Sequence, residues 1–342
     1  MNRWLKRIFF VLVLGALIAF LLPRIGGLQK DAEVLRHARW WLVVPALLLE
    51  AASLFAYVLL YRKVLTLMGH RVGVFATTEV TMAAFLVSHL VPGGSAAGTA
   101  TNVDTMRDQG VPASTTAVAV AFTTLLSAVA LLITFLVGLA YSFTKGKLPV
   151  AYLTTAAVVI PILAGAAAAA LLATRRPALA ERIGRFIGRV IHRFRRNLNP
   201  EDSARDAMVL SLQARGVLSG SGLAECLALA LANWALDLVV LYLFFLAVGH
   251  HQHLGAVIVA YSIANLLAVL PITPGGLGIV EATLVALSIP FGAPRQIAVI
   301  AVIGYRLVNF WLPLPFGAAA YAHLTSSRRG RRRAAVRGEG MS

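Results

Sequence analysis

The apolar positions of this chain gather in long runs, not in the periodic stripes of a soluble helix or the alternation of a half-buried strand. Such runs occupy residues 5–22, 41–61, 74–91, 113–143, 149–174, 222–248, 256–273 and 295–323. Their lengths match the ~20 residues that cross a bilayer as a helix, so the pattern predicts an all-α, polytopic transmembrane helical bundle. Two runs are weak. The third carries Thr77, Thr78, Glu79, Thr81, Ser88 and His89, and the seventh carries Ser262 and Asn265 and ends at Pro271 and Pro274. The expected organisation is one membrane domain over 1–327 and a disordered, Arg-rich cytoplasmic tail over 328–342.

Both weak runs end at the same tripeptide. Pro92-Gly93-Gly94 matches Pro274-Gly275-Gly276 at an offset of 182 residues, and Gly110-Val111-Pro112 then matches Gly292-Ala293-Pro294 without a gap. Proline and paired glycines break a helix. At membrane depth, broken backbone survives only where protein or water shields it, commonly in re-entrant or discontinuous helices around a site. An internal duplication is expected, with each weak run and its Pro-Gly-Gly forming a re-entrant hairpin. A plain turn outside the membrane is the competing reading, against which Leu90, Val91 and Leu270 run straight into the breaks.

Composition rules out a soluble protein: 59% of the 342 residues are apolar, with a mean hydropathy of +0.79. The net charge of +17 comes from 26 Arg and 5 Lys against 14 acids. The basic residues cluster between apolar runs, as the positive-inside rule and attraction to anionic lipid require, and not as a nucleic-acid surface; no nucleic-acid partner is expected. Between Arg175 and Arg215, Leu179, Ile183, Phe186, Ile187, Val190, Ile191 and Phe194 recur at helical spacing opposite Arg182, Arg185, Arg189 and Arg193. That pattern predicts a cytoplasmic amphipathic helix on the membrane surface. Arg3, Lys6 and Arg7 precede the first run and no clear signal-peptidase site follows, so an uncleaved first helix with a cytoplasmic N-terminus is expected. With the N-terminus, the 175–215 loop and the tail all inside, parity favours six crossings plus two hairpins entering from opposite faces, an inverted repeat. Eight crossings satisfy parity too. The loop over 23–40 fits poorly, since it is placed outside yet holds Arg24, Lys30, Arg36 and Arg39.

Ionisable groups within membrane segments are costly and mark candidate sites. Glu281 follows the second break and Arg306 lies about three turns into the last run. They are expected to pair, either only structurally or also to meet a charged headgroup. Asp237, mid-run, is expected to face the bundle interior. Glu50 and Glu79 read as snorkelling toward interfaces, Asp104, Arg107 and Asp108 as wet residues, and His89 as a hydrogen-bonded helix end. His250, His251 and His253 are weak grounds for a metal. The lone Cys226 forms no intrachain disulfide, and no nucleotide, hydrolase or metalloprotease motif appears. No metal and no cofactor are expected.

The block Leu270-Pro271-Ile272-Thr273-Pro274-Gly275-Gly276-Leu277-Gly278-Ile279-Val280-Glu281, followed by Gly304-Tyr305-Arg306, resembles the flippase-like family found as the transmembrane region of lysylphosphatidylglycerol synthases and as stand-alone, UPF0104-like proteins. Pro92-Gly93-Gly94-Ser95-Ala96-Ala97-Gly98 resembles a variant of the family's first signature. The resemblance covers roughly 10–323 and implies a helical bundle that moves a lipid or acts on one. It also implies an aminoacyltransferase domain in the synthase members, which is not expected in this chain. The reading is a lipid flippase or amphiphile transporter of the cytoplasmic membrane, not an enzyme. Its partners are membrane lipids, anionic phospholipid foremost. Its candidate substrate-binding residues are Pro92, Gly93, Gly94, Asp237, Pro274, Gly275, Gly276, Glu281 and Arg306. The alternative is a non-transporting membrane partner of an envelope-lipid enzyme. The sequence does not specify an oligomeric state.

Overall fold

The computed structural model describes residues 36–91, 94–144, 220–268 and 273–339, with isolated positions at 34, 161, 165 and 217. The first apolar run, the run over 149–174, the amphipathic stretch of 175–215, Pro92 and Gly93 lie outside the described residues.

Every regular element among the described residues is helical. In chain order these are α1 (Val43–Leu67), α2 (Val74–Leu90), α3 (Gly94–Arg107), α4 (Ala113–Thr144), α5 (Gly220–Ala247), α6 (Leu254–Ala268), α7 (Ile279–Ser288), α8 (Arg295–Arg306) and α9 (Pro313–Glu339). A 3-10 turn, Pro274–Gly276, lies between α6 and α7, and a π turn, Leu307–Trp311, joins α8 to α9. The π turn has a local cause. Pro313 and Pro315 supply no N–H to the ladder and crowd the carbonyls four residues back. The chain widens instead, with Leu312 N–H donating to Leu307 O at 2.9 Å. Helix α9 continues to Glu339, across the segment read as a tail from residue 328.

Five stretches among the described residues are long and apolar enough to cross a membrane: Trp40–Leu67, Ala113–Phe143, Gly220–Ala247, Pro274–Phe291 and Arg295–Arg328. The α-helical part of the fourth is only the ten residues of α7, about 15 Å at 1.5 Å per residue and half the hydrocarbon thickness. Large apolar side chains, among them Trp40, Trp41, Phe55, Phe75 and Phe316, are exposed on the outer faces, where lipid and not water would meet them.

The element order repeats: a long helix, a shorter helix, a break, a short helix and a second long helix. The packing repeats with it. Helix α2 packs on α3 as α6 packs on α7; α3 packs on α4 as α7 packs on α8; α2 lies against α9 as α6 lies against α4. The two long helices α1 and α5 share the largest contact, where Ser53 Oγ donates to Asn233 O at 2.9 Å and Asn233 Nδ2 returns a bond to Ser53 O at 3.0 Å. The second block that matches in sequence has matching geometry. Gly110 (φ +80°) and Gly292 (φ +92°) both end a helix in the left-handed region, with Val111 N–H on Met106 O and Ala293 N–H on Ser288 O. A residue with a Cβ is disfavoured there, and the following proline opens the next helix.

The core has two main parts. One, with Leu60, Leu65, Val80, Met106, Ala119 and Ala230, joins α1–α5. The other, with Leu241, Phe245, Tyr261, Leu284, Val302 and Tyr305, joins α5–α8. The candidate site sits beside the second.

Candidate functional site

Glu281 occupies the first turn of α7, and its Oε2 accepts the Gly278 N–H at 2.6 Å. A carboxylate there meets both an unbonded N–H and the positive end of the helix dipole. Its Oε1 accepts from Arg306 Nε at 2.7 Å, and the two side chains are only 3% and 5% exposed. Arg306 reaches on to the break itself, with Nη2 donating to Gly275 O at 3.2 Å, Nη1 lying 3.4 Å from Asn309 Oδ1, and Cζ 4.5 Å from the centre of the Phe310 ring. Each Nη carries a second N–H with no hydrogen-bond partner among the described residues.

Asn309 extends the cluster. Its Nδ2 donates to Asp237 Oδ1 at 2.9 Å and lies 3.3 Å from Glu50 Oε1. Asp237 Oδ2 accepts from Tyr261 OH at 2.6 Å and from Tyr305 OH at 2.9 Å. Asp237 therefore faces the interior. One polar network thus joins α1, α5, α6, α7, α8 and the π turn, with Glu50, Asp237, Glu281 and Arg306 all buried. Such a network is tolerated in an apolar bundle because nearly every member is hydrogen-bonded.

The two breaks approach each other. His89, on the last turn of α2, keeps Nδ1 2.8 Å from Phe85 O, stacks on the Phe85 ring at 3.8 Å and meets the Phe310 ring edge-on at 5.2 Å. Gly275 is left-handed (φ +57°), and a Cβ there would come within 2.4 Å of Phe310 and 2.9 Å of His89. Gly276 is left-handed as well (φ +68°), with Pro274 opening the turn. Gly94 is buried at the start of α3.

The structure brings Glu281, Arg306, Asp237, Pro274, Gly275 and Gly276 to one region. Glu50 corrects the sequence reading. It does not snorkel to an interface but is 3% exposed inside the network, because α1 begins at Val43 and carries it two turns into the bundle against α5. The sequence reading also missed Asn309, Tyr261 and Tyr305. Asn309 had a signal, being an amide in an otherwise apolar run. Glu79 pairs with His323 at 2.6 Å near the surface, and Asp108 pairs with Arg328. The three loop histidines have different surroundings: His250 bonds Gln252 at 2.8 Å, His253 leans on Tyr141, and His251 is exposed.

The chain matches the family described as Lysylphosphatidylglycerol synthase TM region over residues 7–317. It is similar to a UPF0104 membrane protein of Archaeoglobus fulgidus, 23% identical over 323 residues, covering 90% of this chain and 94% of that one. It is also similar to one of Methanothermobacter thermautotrophicus, 34% identical over 90 residues, 26% of this chain and 27% of the other. A third, from Pyrococcus horikoshii, is 30% identical over 84 residues, 25% of each chain. The matched stretches in the Methanothermobacter and Pyrococcus proteins span about a quarter of those relatives' lengths. With apolar helices throughout and the family's match spanning nearly all of them, the chain is an integral membrane protein that belongs to the lysylphosphatidylglycerol synthase transmembrane-region family.

Proposed function

We propose that this protein moves a lipid or related amphiphile with an anionic headgroup across the cytoplasmic membrane. The observation that carries the reading is Arg306, a buried guanidinium at a break in the helices, held by Glu281 yet with a spare N–H on each Nη. A headgroup phosphate accepts such paired donors. Two of the helices beside it, α6 and α7, are too short to cross alone, with fifteen and ten residues, roughly 22 and 15 Å. The reading therefore makes α2–α3 and α6–α7 re-entrant hairpins of an inverted repeat, entering from opposite faces. Both termini are then cytoplasmic. A cavity of about 450 Å³, lined by Arg62, Lys63, Thr66 and Arg71, opens near the end of α1 and suits a first contact with anionic lipid.

The test is reconstitution of the purified chain into liposomes carrying fluorescent anionic, zwitterionic or cationic lipids on one leaflet. Anionic lipid should cross faster than in protein-free vesicles, and Arg306→Gln combined with Glu281→Gln should fold but lose that gain. Rates equal to protein-free vesicles for every lipid would leave the role of a non-transporting partner.

A further inference from the structure

Three buried carboxyl groups surround one buried guanidinium: Glu50, Asp237 and Glu281 against Arg306. Glu281 is matched directly by Arg306. Asp237 already receives three hydrogen bonds, from Tyr261, Tyr305 and Asn309. A carboxylate has about four acceptor positions, so one remains. Glu50 is different. Its Oε1 lies 3.3 Å from the Asn309 amide, while its Oε2 is buried with no partner supplied by an N–H or O–H group. The Glu50 and Asp237 carboxyl groups meet at one amide nitrogen, Asn309 Nδ2, which lies 2.9 Å from Asp237 Oδ1 and 3.3 Å from Glu50 Oε1. Two carboxylates on one amide in an apolar site do not both stay ionised, and they resolve the conflict by sharing a proton.

We propose that Glu50 and Asp237 form a proton-binding site, with one exchangeable proton on Glu50 Oε2 donated to Asp237, and that this proton is the coupling ion for transport. Binding forms one O–H bond on the Glu50 carboxylate, and release returns the proton to water. The proton completes the hydrogen bonding of both groups at once, satisfying the orphaned Oε2 and filling the last acceptor position of Asp237. The other titratable or charged groups around the pair are Tyr261 from α6, Tyr305 and Arg306 from α8, Glu281 from α7 and, beyond Phe310, His89 from α2. None of them donates to Glu50 Oε2. Asn309 touches both the pair and Arg306, so a headgroup that draws Arg306 away disturbs the amide holding the pair. The coupling half of the proposal rests on the lipid-transport reading, whereas the proton site does not.

The experiment is infrared spectroscopy of the full chain in lipid nanodiscs above neutral pH, where ordinary carboxyl groups are ionised. A protonated-carboxyl C=O band should be present, shift in deuterated water, vanish in Glu50→Gln and persist in Glu281→Gln. The deuterium shift needs no variant, so it stands if Glu50→Gln does not fold. Absence of the band, or its survival in folded Glu50→Gln, overturns the proton site; loss of the band on adding sodium at fixed pH assigns the pair to a metal cation instead. The native state also holds a proton that the unfolded chain has released. Above the ordinary glutamate range its folding equilibrium should therefore fall ~tenfold per pH unit relative to Glu50→Gln; parallel profiles count against the site. In proteoliposomes, an imposed pH gradient should change the rate of lipid movement for the parent and not for Glu50→Gln. A band with no gradient effect on moving lipid overturns the coupling alone. No movement of any lipid sinks the transport reading and the coupling with it, and leaves the proton site to the infrared result.

Discussion

At the break after α2, a Cβ on Gly94 would sit 1.7 Å from the Ser88 carbonyl oxygen, so α3 starts pressed onto the last turn of α2. At the break after α6, the corresponding turn folds through left-handed glycines and presents Gly275 O to Arg306. The two units share a backbone plan and differ in polarity. In α3 the hydroxyls of Thr99, Thr101 and Thr105 bond carbonyls of their own helix, and its nearby charges pair at the rim, Asp108 with Arg328. In the second unit Asp237, Glu281 and Arg306 are buried. The two breaks share a means of interrupting a helix and packing it back; the buried ion pair stands at the second break, and Glu50 joins its network from α1 of the first unit. Because α2 ends against the Pro274–Gly276 turn, with His89 on Phe310, a single charged cluster serves the place where both breaks meet.

The largest expected effect concerns the opposed orientation of the two units, and it is all or none. In a Cys226→Ala background, Thr66→Cys should label only from the cytoplasmic side and His251→Cys only from outside. Labelling of both from one side would make the units parallel.

Next comes the contrast in buried charge. Removing one partner of a buried ion pair costs about 3–5 kcal/mol, while removing both is far milder. Glu281→Gln and Arg306→Gln should each lower thermal stability by that order, and the double variant should recover part of the loss. Additive single effects would mean that the two side chains do not depend on each other.

A smaller effect separates two glycines of the first unit. Gly94→Ala must push backbone away, and overpacking of this kind costs about 1–3 kcal/mol or more. Gly110→Ala meets nothing within 4 Å and carries only the left-handed penalty, about 1–2 kcal/mol. Melting curves that rank these two the other way would contradict the close approach of α3 to α2.

The smallest effect is at the rim. Asp108→Asn should change stability by about 0–1 kcal/mol, since the paired Arg328 and Asp108 side chains are 30% and 32% exposed. A loss as large as that of Glu281→Gln would put the first unit's charge on the same footing as the second's.

Apolar runs over 41–61, 74–91, 113–143, 222–248 and 256–273 correspond to α1, α2, α4, α5 and α6, with ends moved by up to six residues. The run at 295–323 is divided by the π turn because two prolines follow it. Helices α3 and α7 were not legible as separate elements, being short and bounded by glycine and proline. Of the candidate site, the Glu281–Arg306 pair was legible because both residues are ionisable within apolar surroundings, and Asp237 for the same reason. Glu50 stands near the middle of the run at 41–61, and its burial follows from the packing of α1 on α5.

By itself, the sequence determined that this is a helical membrane protein, where its helices break and which charges would need partners. Run length, proline, glycine and the cost of burying charge are local properties. Only the tertiary structure decided that Glu50, Asn309, Tyr261 and Tyr305 converge on Asp237. In a soluble helix the apolar stripe marks the inner face. In a bilayer the face toward lipid and the face toward protein are both apolar, so the inward direction of a side chain follows from which helix packs beside it.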